Sequence, residues 1–222
     1  MIIREVRPHR APQKNNYNRR RKSHRNKYRE KGLNIMDLSE IQENYPEISA
    51  AANDVLSLLG PGFTNTPEGH VETDISAAAS LAGLSMLRSK GFDVRQFTPG
   101  TMVLSEMDTE LNEIWNFMMA AAQNMGLDPT AGWDLEIPEA NKPLYSVSEM
   151  THKTEKGFLA ICGRHHLKKG FFPYVAVLAA LKLVYAANSM KILDQNIGKA
   201  LTGYHVVAGA KTVPFPLEEY QR

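Results

Sequence analysis

The chain has 222 residues, 43% of them hydrophobic, one cysteine and a formal charge of +2. A single thiol, Cys162, excludes an intrachain disulfide framework, and a chain of this length can bury roughly 70% of the surface its unfolded form exposes. The near-neutral total hides a division: twelve of the 26 Lys and Arg residues but only two of the 24 Asp and Glu residues fall in residues 1–32, so that segment carries +10 and residues 33–222 carry −8.

In chain order, residues 1–32 come first. After Val6 their only aliphatic side chain is Ala11. Such a segment cannot offset the entropy of ordering by itself, so it reads as a basic arm ending at Gly32. No apolar run follows Arg19-Arg20-Arg21, and the Asn-rich stretch from Asn15 to Lys27 lacks the amphipathic face of a transit peptide. A reducing, cytoplasmic setting is the expectation.

From Leu33 onward the pattern predicts one all-α domain of five or six helices around a central apolar helix. Pro46 suits a first turn, Ile48, Ala51, Ala52, Val55 and Leu59 keep helical spacing, and Gly60-Pro61-Gly62 stops the chain. A second helix is expected from Thr66-Pro67 to Gly91, with Val71, Ile75, Ala78, Ala82 and Met86 on one stripe. Phe92 to Thr98 alternates weakly and reads as extended. Ser105 and Asp108 have capping-box spacing ahead of a third helix that Gly126 ends. Leu127 to Tyr145, with three prolines, reads as a long irregular connection, either packed on the surface or functional.

Ser146 and Glu149 predict a second capping box, opening a helix that closes at Lys168-Lys169-Gly170. A fifth helix begins at Pro173 and is apolar on nearly all sides to Ala187. Its apolar run is too short and too interrupted, by Pro173 and Lys182, for a membrane span, so burial in the protein is expected. A sixth helix carries Leu193, Ile197, Ala200, Leu201 and Tyr204, and His205 to Leu217 reads as an extended tail over the body.

The strongest chemical signal is the arm. Arginine and lysine meet phosphate oxygens with modest geometric demands, which makes Arg19, Arg20, Arg21, Lys22, Arg25, Lys27, Arg29 and Lys31 the candidate nucleic-acid contacts. Tyr17, Tyr28, His9 and His24 interleave them and suit base stacking. An acidic protein surface would satisfy the same charges, and so would solvent.

Metal binding is a weaker candidate. Glu149 and His152 have the Glu-x-x-His spacing of carboxylate-bridged helical metal sites, to which Glu72, Glu106 or Glu110 would add oxygens, and Cys162 pairs by spacing with His165 or His166. The motif occurs once, however, and Glu149 already has a capping role. Arg164 to Lys169, with His165 and His166, forms a basic patch that offers a second place for an anion. Lys182, alone in an apolar helix, suits either proton-transfer chemistry or a structural partner, and Cys162 among apolar neighbours reads as a core thiol. No cofactor is implied: Gly198-Lys199 lacks the rest of a phosphate-binding loop.

These features favour a non-enzymatic helical protein whose arm binds nucleic acid or another anionic partner. The alternatives are an assembly subunit whose arm docks on a neighbouring copy, and a metal- or small-molecule-dependent enzyme roofed by the 127–145 connection.

Overall fold

Apolar residues recurring every three or four positions become helix in the computed structural model, which describes residues 38–60, 63, 69–91, 94–103 and 107–217. Seven α-helices stand among the described residues: α1 (Leu38–Glu43), α2 (Tyr45–Leu58), α3 (Val71–Ser89), α4 (Asp108–Asn124), α5 (Val147–Arg164), α6 (Phe172–Ser189) and α7 (Gln195–Lys211). No β-strand occurs there, only an isolated antiparallel bridge between Met102 and Thr212. The helices belong to one compact unit, Met36–Arg222. The arm and its eight candidate phosphate contacts lie outside the described residues.

Two helices share the middle of the core. Along α6 the residues from Pro173 to Leu181 are all buried, and the helix packs against α2, α3, α4 and α7. With its preceding turn, Lys169–Ser189 is long and apolar enough to cross a membrane, but 67% of that window is buried inside the protein. Helix α3 packs on α5, α6 and α7 and is buried from Thr73 through Leu84. Each fully buried Leu or Ile in these helices, such as Leu81, Leu178 and Leu181, contributes roughly 1.5–3 kcal/mol through its removal from water.

The closest approach in the core needs residues without side chains. A Cβ on Gly83 of α3 would lie 2.1 Å from the Val206 carbonyl oxygen, and one on Gly209 of α7 would lie 2.3 Å from the Ser80 carbonyl oxygen. Only glycine at both positions lets the two backbones touch.

That contact corrects the expected tail. Val206, Val207 and Thr212 favour extended chain in isolation, yet residues 205–211 are helical, because Val206, Gly209 and Ala210 complete the face that α3 requires. Extended chain begins only at Thr212. There Val103 N donates to the Lys211 carbonyl at 2.7 Å, and Val213 and residues 100–101 exchange two backbone bonds of 2.8 Å.

Other boundaries move for local reasons. Helix α1 lies beyond the predicted set. Helix α3 starts at Val71 rather than Thr66, because His70 caps it: the imidazole Nδ1 accepts from Thr73 N at 3.3 Å. Residues 94–96 form a 3-10 turn instead of extended chain. Met107, not Ser105, occupies the capping position of α4, without a side-chain cap; Ser105 is outside the described residues. The Ser146–Glu149 capping box is present at the start of α5. That helix ends at Arg164, before the expected lysines, where His166 adopts a left-handed φ of 52° and Leu167 N turns back to the Cys162 carbonyl at 3.1 Å.

Candidate functional site

The connection from Leu127 to Tyr145 is fastened to the first turns of α7. Asp194 caps that helix, accepting from Asn196 N at 2.8 Å, and the next residue, Gln195, accepts from Asp128 N through Oε1 at 3.2 Å. Asp128 in turn accepts from Thr130 N and Oγ1, both at 2.8 Å, closing an Asx turn. Those two donors hold the Asp128 carboxyl below its ordinary range.

Lys199, one turn further along α7, is buried beneath this turn. Its ammonium donates to the Asp128 carbonyl at 2.6 Å and lies 5.9 Å from the centre of the Trp133 ring. Removal from water lowers its pKa, against the pull of Asp128 and Asp194. Trp133 donates from Nε1 to the Pro129 carbonyl at 2.9 Å, and its ring meets Trp115 of α4 at 5.4 Å with a 57° tilt. Gly203 completes the junction: a Cβ there would be 3.3 Å from Cζ3 of Trp115 and 3.5 Å from the Trp133 carbonyl. Helices α4 and α7 and the connection therefore meet at one place, with a fixed cation inside and an indole, Trp115, at the surface. Neither Lys199 nor this junction was evident from spacing, because the lysine sits among the stripe residues Ile197, Ala200 and Leu201 and looks like a solvent-facing interruption of it.

The other candidate residues are held apart or already partnered. Glu149 accepts from Ser146 N at 2.8 Å and from its hydroxyl at 2.6 Å, and these bonds keep its carboxyl low. His152, three residues on, faces Phe215 with ring centres 4.3 Å apart. Glu72 accepts from Asn141 Nδ2 at 3.0 Å, Glu110 pairs with Lys90, and Glu106 lies outside the described residues. Among the described residues no three His, Cys, Asp or Glu side chains are grouped to hold a metal ion. Burial pushes the Cys162 thiol up to about 12, so it stays protonated and unreactive at neutral pH.

Three members of the basic stretch at the end of α5, Arg164, His165 and Lys168, meet carboxylates. Asp54 of α2 accepts from His165 Nε2 at 3.0 Å and Arg164 at 3.2 Å, and Glu40 of α1 accepts from Lys168 at 2.8 Å. Those two partners hold Asp54 below its ordinary value. Lys182 finds uncharged acceptors: the Ser49 carbonyl at 3.1 Å, its hydroxyl at 3.0 Å and Asn53 Oδ1 at 2.6 Å. Three acceptors match the three donors of an ammonium, a structural role for this lysine.

The most buried charge pair links α3, α5 and the end of α7's extension. Arg88 donates from Nε to Glu155 Oε1 at 2.7 Å and from Nη2 to Oε2 at 2.9 Å, and Nη2 also reaches the Phe215 carbonyl at 2.9 Å. Glu155 is 3% exposed.

Comparison of the chain with protein-family models, with curated proteins and with solved structures finds no match.

Proposed function

We propose that this is a non-enzymatic, cytoplasmic helical protein that grips nucleic-acid phosphates through residues 1–32, with the helical body as the scaffold from which that arm is presented. The observation that carries the reading is the segregation of charge: +10 in the first 32 residues against −8 in the remaining 190. Arg19, Arg20, Arg21, Lys22, Arg25, Lys27, Arg29 and Lys31 supply the charge, and Tyr17 and Tyr28 offer rings on which unpaired bases stack. In support, buried ionisable groups among the described residues have structural partners: Glu155 on Arg88, Lys199 on the Asp128 carbonyl, and Asp74 on Gly60 N. The alternative anionic partner is an acidic protein surface.

A salt titration separates these. If six to eight of the arm's charges contact phosphates, log K falls against log salt with a slope of roughly −4 to −6 for a single-stranded oligonucleotide, at about 0.7 per contact, and down to roughly −7 for a duplex, at about 0.9. Removal of residues 1–31 abolishes the binding. A slope shallower than about −2, or affinity unchanged by the deletion, overturns the reading.

A further inference from the structure

The junction of α4, the 127–145 connection and α7 leaves large apolar groups in water. Trp115 is 36% exposed although it rests on Trp133 and Gly203, and Leu135 and Tyr204, from the other two elements that meet there, are 46% and 61% exposed. Exposed apolar side chains on three adjoining elements suit a surface that a partner covers. Aromatic side chains are also the residues on which binding energy concentrates.

Charge selects the partner. Between Asp108 and Tyr145 the chain has seven acidic side chains and one basic, Lys142, which accounts for −6 of the −8 carried by residues 33–222. Lys90 engages Glu110, and Lys142 engages Glu139 and is also drawn to Glu136; Asp134 and Glu136, on either side of Leu135, are exposed. Asp134 directly follows Trp133, the residue whose ring meets Trp115, and an exposed indole with exposed acids on the adjoining chain suits guanidinium and ammonium groups, which stack on rings and pair with acids. A nucleic acid would be repelled there.

The geometry points to a docking surface for a cationic polypeptide, and its occupant is the basic segment, residues 1–32, of a second copy of the chain. That segment holds twelve Lys and Arg residues and the aromatics Tyr17 and Tyr28. Extended, it reaches about 100 Å, ample to span from one body to the next. Docking of this kind does not require that the segment also bind phosphate. Both uses draw on the same cations, so a polyanion and the neighbouring acidic face compete for the segment.

The test uses the full chain and a fluorescently labelled synthetic peptide of residues 1–32. The peptide should bind saturably, with an affinity that falls as salt rises. Trp115→Ala, and separately the pair Asp134→Lys with Glu136→Lys, should each weaken it about tenfold or more. Light scattering should find the unaltered chain larger than a monomer at low salt and both variants monomeric, with circular dichroism retained in both and Tm retained in the charge-reversed pair, whose positions are exposed. If Trp115→Ala does not fold, the charge-reversed pair decides the matter alone. Affinity for a single-stranded oligonucleotide should be no weaker in the variants than in the parent, since a segment freed from the acidic face is available to phosphate, so failure of docking and failure of phosphate binding are read in different assays. Peptide binding indifferent to both variants, equal binding of a peptide with its Lys and Arg changed to Gln, a chain that is monomeric at all salt concentrations, or oligonucleotide binding lost with Trp115 would each overturn the assignment.

Discussion

Replacing Arg88 with methionine is expected to lower the stability of the helical body by about 3 to 5 kcal/mol, the usual consequence of taking one partner from a buried ion pair. The two parallel bonds to Glu155, at 2.7 and 2.9 Å, match a planar fork to a planar carboxylate, and Glu155 is 3% exposed. Without the guanidinium the carboxylate keeps its desolvation cost and loses the charge that offsets it. Arg88→Lys should restore only part of the loss, since an ammonium cannot occupy both oxygens and the Phe215 carbonyl with that geometry. The double variant Arg88→Met with Glu155→Leu should be more stable than Arg88→Met alone, because no charge then remains buried. Urea unfolding of the four proteins measures this. A loss below about 1 kcal/mol in Arg88→Met would mean that the pair is already solvated, contrary to its burial.

Acidification from pH 6.5 to pH 4 is expected to lower stability by about 3 kcal/mol through His205 alone. This imidazole is 4% exposed on the face of α7 that meets α3, with Nδ1 3.5 Å from the Ser80 hydroxyl, and burial lowers its pKa from 6.5 to about 4. Above pH 6.5 the group is neutral in both folded and unfolded chains and has no effect. As the pH falls below 6.5 the unfolded chain takes up a proton that the folded chain refuses, so stability declines. Below about pH 4 both forms are protonated and the decline stops. Asp74 acts in the opposite sense: burial raises its carboxyl, so it binds a proton more readily when folded and gains stability on acidification. The His205 contribution is isolated by comparing urea midpoints of the parent with those of His205→Gln, which should lack this part of the slope between pH 6.5 and 4. Equal slopes in the two proteins would place the acid sensitivity elsewhere.

How much of the fold is legible in the residues alone follows from the range of the interactions. The stripe Ile48, Ala51, Ala52, Val55 and the pair Ser146 and Glu149 state local facts: a helix face repeats at a fixed spacing, and a capping box closes within four residues. The early end of α5 is local too, but it depends on His166 adopting a left-handed conformation that its type tolerates without demanding. The long-range contacts are not legible. Nothing in the run from His205 to Thr212 announces that Gly209 will lie against the Ser80 backbone, and without that contact the valines argue for extended chain. The same holds for the candidate site. Trp115, Trp133 and Lys199 are far apart in the chain, and their meeting depends on Gly203 leaving room for two elements over one helix. The two indoles are visible as residues, but not as neighbours.

The attachment of α1 sets how the body responds to its solvent. Among the described residues of that helix Ile41 is buried at 4% exposure, and its ionic contact is Glu40 with Lys168, whose side chains are 34% and 75% exposed. Screening weakens such a pair while leaving the apolar packing of α2 untouched. Amide protons of Ile41 to Glu43 should therefore exchange with deuterium soonest among the helices, and sooner still in molar salt, so that the first turn beyond the cationic leader acts as an ionic-strength-dependent clasp.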